Sequence, residues 1–176
     1  MKDLRRSIIT AMKQSAGILV YRKKGAGVEV FIVHPGGPFW AKKDKGAWSI
    51  PKGEFTGDED MQVAARREFG EETGQAAPEG EHLDLGFVKN KSGKVIYAWA
   101  VEGDADAAAL QSNTFEMEWP PKSGQQQSFQ EVDKAGWFAP EKAMEKLNPA
   151  QAPLVERLLE ALHLEIVEPP QQASLF

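Results

Sequence analysis

Runs of apolar residues mark two short segments near the start of the chain, SAGILVYR (residues 15–22) and VEVFIVHP (28–35). Apolar runs bounded by turn residues predict a pair of strands joined through a glycine-bearing turn. GGPFWAKKDKGAW (36–48) breaks the pattern with Gly, Pro and Lys and predicts an exposed loop. WSIP (48–51) then predicts a short strand ending at Pro51. Beyond it the period changes. Met61, Ala65 and Phe69 recur at four-residue spacing, a stripe that predicts a helix over 58–73 packed on a sheet. Thr56 followed by Glu59 has the form of a capping box, and Gly74 stands where a helix end favours a left-handed residue.

Downstream, LDLGFVKN (83–90) and KVIYAWAVEG (94–103) predict a hairpin across a KSG turn. The acidic, alanine-rich stretch 104–112 predicts a loop with one helical turn, and FEMEW (115–119) alternates like a strand. PPKSGQQQS (120–128) reads as a polar turn. EVDKAGWFAPEKAMEKL (131–147) predicts a strand running into a helix. APLVERLLEALH (152–163) predicts a last amphipathic helix, with Leu154, Leu158, Leu159 and Leu162 on one face. Strands mixed with helices predict one α/β layered domain over 14–166, with a flexible leader at 1–13 and a flexible tail at 167–176. Met12 is a candidate natural start, because strand-like sequence begins directly after it.

Composition narrows the field by exclusion. A chain of 176 residues suits one domain with a real core. A net charge of −5 speaks against a duplex-binding protein, which needs a basic face, but not against a nucleotide substrate whose charge a cation neutralises. There is no cysteine, hence no disulfide framework and no thiolate site. His34, His82 and His163 show no metal-ligand spacing. No apolar run nears the roughly 20 residues that span a membrane. The basic start MKDLRRSIITAM has too short an apolar run for a signal peptide, so a cytoplasmic protein is expected.

The chemistry concentrates in RREFGEETG (66–74). A helix turns about 100° per residue, which sets Glu68, Glu71 and Glu72 on one face. Like charges so placed repel by a few tenths of a kcal/mol per pair, at roughly that order. A hard divalent cation between them gives the arrangement a purpose, since such ions want oxygen ligands.

The full spacing runs Gly53, five residues, Glu59, seven residues, then Arg67-Glu68-Phe69-Gly70-Glu71-Glu72-Thr73-Gly74. This resembles the signature of the Nudix hydrolases, with seven specified polar or glycine positions matched and Phe69 in the apolar slot between them. Gln75 departs from the pattern, which has an apolar residue there; a slightly weaker helix cap is expected. The resemblance implies an α/β/α sandwich around a mixed sheet. It also implies Mg²⁺-dependent (or Mn²⁺-dependent) hydrolysis of a pyrophosphate linkage in a nucleoside diphosphate joined to another group.

Carried over residue by residue, the resemblance implies metal ligands at Glu68, Glu71 and Glu72, joined by the backbone carbonyl of Lys52. Glu68 would bridge metals or help deprotonate the attacking water. Arg67 would hold Glu68, and Glu59 would pair with Arg67 or bind a further metal. A later acidic residue often adds a ligand or general base; Glu131 is the candidate, with Glu116 and Glu118 as alternates. The Pro-Lys-Gly lead-in at Pro51, Lys52 and Gly53 resembles members acting on dinucleoside polyphosphates, diphosphoinositol polyphosphates or capped RNA. Lys52, Lys42 and Lys43 are candidates for phosphate, Trp40 and Tyr97 for base stacking. Trp99, Trp119 and Trp137 are expected in the core or on the sheet. The favoured substrate is a dinucleoside polyphosphate. The alternatives are a nucleoside triphosphate pyrophosphatase, an RNA 5′ pyrophosphohydrolase and a non-catalytic nucleotide sensor. An exposed strand or the last helix would serve a homodimer.

Overall fold

A computed structural model describes residues 13–165 of the chain. The leader expected at 1–13 (save its last residue), the tail at 167–176 and the question of Met12 lie outside them. Strand β1 (Gln14–Lys24) turns into β2 (Gly27–Pro35), and β3 (Lys52–Glu54) follows the long loop. Helix α1 (Met61–Thr73) comes next, then β4 (Leu83–Lys89) and β5 (Val95–Glu102). A 3-10 turn at Ala107–Ala109 precedes β6 (Thr114–Glu118), β7 (Gln126–Gln130) and β8 (Val132–Phe138). Helices α2 (Pro140–Lys146) and α3 (Ala152–Ala161) close the domain.

The main sheet runs β4-β5-β1-β2-β8. It is mixed, because β1 pairs in parallel with β5 and antiparallel with β2. β3 also pairs with β1, at Ser15 to Gly17, beyond the point where β2 has left it. Side chains alternate across the pleat, so neighbouring residues serve opposite cores. Leu19, Val30, Ile32 and Ala98 meet Leu147, Leu154 and Leu158 of the α2–α3 layer. Ile18, Val20, Phe31 and Val101 meet Ala64, Ala65 and Phe69 of α1. Helices on both faces explain the unbroken apolar run of β1, which is buried from Ser15 to Tyr21. The expected α/β/α sandwich around a mixed sheet is thus the observed architecture.

Several local expectations need correction. Helix α1 begins at Met61, not 58, and its cap is Asp60, whose carboxylate accepts from the backbone N–H of Gln62 and Val63. Thr56 caps nothing in it. Met61 is therefore the first helical residue and stands 36% exposed instead of packing, while Ala64 joins Ala65 and Phe69 against the sheet. WSIP is no strand: Trp48 and Ser49 each make one isolated bridge, to Leu147 and Val33. The polar turn expected at 120–128 is shorter, because Gln126–Gln130 pairs with Thr114–Glu118 as a separate two-stranded ribbon. That strand is polar because the ribbon projects from the domain, with only Phe129 partly sheltered against Phe115. Trp119 belongs to this ribbon and not to the main sheet; its ring meets Phe39 edge-on at 5.6 Å. Trp99 is in the core, and Trp137 is half-buried under Arg22.

Candidate active site

Two pieces of backbone build the site around the end of α1. β3 brings Gly53 against the helix so closely that a Cβ there would collide with the Glu68 carboxylate. Gly74 ends the helix in the left-handed region, φ 73°, and donates its N–H to the Gly70 carbonyl at 2.8 Å. The last carbonyls of a helix lack internal partners. Here Gln111 N–H donates to the Thr73 carbonyl at 2.9 Å and Asn113 N–H to the Glu71 carbonyl at 2.8 Å. Asn113 in turn accepts from Glu131 N–H at 2.8 Å, which ties Glu131 to the end of the acidic helix. Gln75, the residue after this cap, is itself tied to the 104–112 segment. Its side-chain amide accepts from Asp106 N–H at 2.8 Å and donates to the Asp106 carbonyl at 2.7 Å.

The three helix carboxylates are unequal. Glu68 and Glu72 are buried, at 8% and 6% exposure, while Glu71 lies half-open beside them. Burial pushes the Glu72 carboxyl up to about 7, opposed by the positive charge of Lys52 and reinforced by the charges of Glu131 and Glu68. Burial also raises Glu68; the Arg67 hydrogen bond opposes this, and Glu71 and Glu131 add to it. Glu131 is itself exposed, and its charge still bears on both buried carboxylates.

Arg67 is the hub of the negative side. Its Nε and Nη2 grip both oxygens of Glu59 at 2.8 and 3.0 Å. Its Nη1 donates to Glu68 at 2.8 Å and to both oxygens of Glu71 at 3.2 Å. These bonds, Glu59 foremost and against the cost of burial, hold the guanidinium pKa above its ordinary value, and they draw Glu59 below its own. Glu72 is left with little. Lys52 N–H reaches its oxygens at 3.4 and 3.5 Å, and Lys52 Nζ stands 4.0 Å away.

The remaining candidates divide. Trp40 and Lys52 line one cavity of about 290 Å³, with Lys94, Asn148 and Gln151 on its other walls. Lys42 and Lys43 are exposed on the loop above, and Lys43 Nζ lies 5.1 Å from the Trp40 ring centre. Tyr97 is two strands from Gly53, both pairing with Ala16, and its ring packs on Phe55 and Phe87. Glu116 and Glu118 point outward from the ribbon, on the face away from Met117. The reading by spacing missed His34, because one partner, Asp133, lies 99 residues on and the other, the Lys43 carbonyl, is backbone that no side-chain spacing reveals.

Among the described residues, no three carboxylate or imidazole side chains are already gathered closely enough to hold an ion. The donor chemistry nonetheless fits a hard divalent cation. Glu68, Glu71, Glu72 and Glu131 offer oxygen only, and Glu72 is a buried carboxylate whose hydrogen bonds are long.

A mixed sheet lies between two helical layers, with an acidic helix end opposed by a glycine of β3. The chain belongs to the Nudix family, whose NUDIX domain model matches residues 12–158. No curated protein matches it in sequence. Among solved structures, a C. elegans Ap4A hydrolase in a binary complex is similar at 19% identity and TM-score 0.61, covering 85% of this chain and 98% of that one. The NUDIX domain of Shewanella oneidensis NrtR, complexed with ADP ribose, is similar at 16% identity and TM-score 0.60, covering 89% and 92%. A MutT protein from Methanosarcina mazei Go1 follows at 20% identity and TM-score 0.56, covering 86% and 95%. At these identities the likeness is one of fold. No helix among the described residues is long and apolar enough to cross a membrane.

Proposed function

We propose that the protein is a Mg²⁺-dependent hydrolase of a pyrophosphate linkage in nucleoside diphosphate-linked substrates, and that its substrate is a dinucleoside polyphosphate. The observation that carries this is the pairing of buried Glu72 with Lys52, a cation beside the carboxylates that also lines the adjoining cavity. Glu68, Glu71, Glu72 and Glu131 would hold the metal, with the Lys52 carbonyl. Bound there, the ion supplies positive charge opposite the phosphate oxygens and makes a water more acidic. Glu68 takes the proton of the attacking water while Arg67 keeps its carboxylate in place. The water oxygen bonds to phosphorus, the anhydride P–O bond breaks, and the leaving phosphate keeps the electron pair.

Lys52 supports the choice of a long phosphate chain, since an ammonium next to the metal neutralises one more phosphate. Lys42 and Lys43 would meet distal phosphates, and Trp40 would stack on a base across the cavity from Lys52. The similarity to an Ap4A hydrolase agrees with this reading. The test is a Mg²⁺-supplemented panel of diadenosine polyphosphates, nucleoside triphosphates, ADP-ribose and triphosphorylated RNA, run beside Glu72→Gln. Turnover greatest on diadenosine tetraphosphate and lost in the variant is expected. Preference for nucleoside triphosphates or RNA would overturn the substrate; binding without turnover would make the domain a sensor.

A further inference from the structure

His34 ends the buried part of β2 and has no exposure at all. Both of its ring nitrogens are engaged: Nδ1 lies 2.7 Å from Asp133 Oδ1, and Nε2 lies 2.6 Å from the Lys43 carbonyl oxygen. A carbonyl oxygen only accepts, so Nε2 carries a hydrogen and donates it. Nδ1 faces the Asp133 carboxylate on the other side of the ring. The Trp48 ring meets the imidazole edge-on at 5.4 Å. The ring has no freedom left to turn.

Asp133 is brought there by an irregularity of the sheet. His34 pairs with Lys134 and Pro35 with Val132, so Asp133 is the extra residue of a bulge in β8. A bulge re-aims a side chain that the regular pleat would send elsewhere. The same bulge lies two residues beyond Glu131, whose carbonyl accepts from Gly36 N–H at 2.9 Å. Loop 36–48 is also held near its far end, where Asp44 accepts from Trp48 Nε1 at 2.7 Å and from Lys146 Nζ at 2.9 Å. Between these two anchorages the Lys43 carbonyl is tied to the sheet core by His34, while Phe39 meets Trp119 of the projecting ribbon. That residue's own N–H donates to the Trp40 carbonyl at 3.0 Å, and its ammonium lies over the Trp40 ring.

We infer that His34 is a positioning residue for substrate binding, fixing loop 36–48 at Lys43 so that Trp40 stands ready in the cavity it shares with Lys52, with the Lys43 ammonium over its ring. The inference rests on the proposed function for the ligand that the loop meets, but not for the clasp itself. His34 touches neither metal nor substrate; it acts through the Lys43 carbonyl. Releasing that carbonyl frees both side chains and leaves the acidic helix untouched, so binding should suffer and the chemical step should not.

The experiment compares His34→Asn with His34→Gln. An Asn amide nitrogen falls near the place of Nδ1 and keeps Asp133; a Gln amide nitrogen falls near Nε2 and keeps the Lys43 carbonyl. Amide hydrogen exchange over 36–48, Tm, and kcat and KM for diadenosine tetraphosphate are measured for both. In His34→Asn, loop exchange and KM should each rise about tenfold with kcat within about twofold, the scale of one lost buried hydrogen bond. His34→Gln should stay near the wild type on both. Unchanged loop exchange in folded His34→Asn would overturn the clasp, and faster exchange with unchanged KM would overturn its part in binding. Equal losses in both variants would mean a merely structural histidine. If the wild-type enzyme turned over no diadenosine polyphosphate, the hydrolase reading of the substrate would fall, and the exchange pattern would still decide the clasp.

Discussion

Lys52 and Glu72 meet twice: the Lys52 N–H points at both carboxylate oxygens at 3.4 and 3.5 Å, and its ammonium stands 4.0 Å from one of them. Neither contact is short. A carboxylate 6% exposed has left water behind without gaining full replacement, and this is why its pKa rises to about 7. Lys52 limits the rise. The site is thus built at a cost to the empty fold, on the side of the sheet where α1 packs.

That cost has a pH signature in the metal-free protein. Folded Glu72 titrates near 7 and an unfolded glutamate near 4.5, so the native state holds the proton more tightly. The stability present below the unfolded pKa is lost as pH rises through 7, by about 3 kcal/mol at most. Glu72→Gln removes the carboxylate and should melt higher than the wild type at pH 8, with the gap closing towards pH 5. Mg²⁺ should stabilise the wild type far more than the variant. Thermal melts of both at pH 5, 6.5 and 8 measure this; a gap that does not change with pH would refute the assignment.

How much of this was readable from the chain depends on distance along it. The acidic helix was legible because Glu68, Phe69, Glu71 and Glu72 lie within one turn or so, and 3.6 residues per turn fixes their relation. Arg67 and Glu59 were legible only through the family spacing, since eight residues and a turn separate them. The helix start was misread because Thr56 and Asp60 both offer a capping oxygen, and only the path of the loop decides between them. β7 escaped because an exposed ribbon has no buried face to impose alternation. The His34–Asp133 pair, 99 residues apart and dependent on a bulge, leaves no local mark at all.

Gly53 should be intolerant for a reason specific to Glu68. A Cβ at Gly53 meets that carboxylate, whereas one at Gly57 meets nothing within 4 Å. Gly53→Ala is expected to fold but to displace Glu68, lowering kcat by about tenfold or more, in line with the loss of a placed catalytic group. Gly57→Ala should leave kcat unchanged. Steady-state kinetics on the two proteins side by side check this, and equal activity would show that Glu68 need not stay where it is.

Arg67→Lys tests whether the guanidinium is a holder of carboxylates or only a charge. Arginine serves Glu59, Glu68 and Glu71 at once through its planar fork, which one ammonium cannot reproduce. The variant should lose about 10–100-fold in kcat with little change in KM, as when a partner that orients a metal ligand is removed. Its Tm should fall only modestly, because Arg67 and Glu71 are more than a third exposed. A kcat near that of the wild type would reduce Arg67 to a counter-charge.

Lys52→Met separates the two tasks of Lys52. Its backbone stays, so the N–H contact to Glu72 and the pairing of β3 with β1 persist. Loss of the ammonium removes the charge that pulls the Glu72 pKa down, so the metal-free variant should be less stable than the wild type at pH 8 and nearly equal at pH 5. If the ammonium also meets substrate, KM should rise with the number of phosphates, by about tenfold for diadenosine tetraphosphate and less for ADP-ribose. Melts at the two pH values and KM values for the two substrates read the tasks independently. A pH-dependent loss of stability with equal KM changes on both substrates would assign Lys52 to Glu72 alone and remove the support it gives to a long phosphate chain.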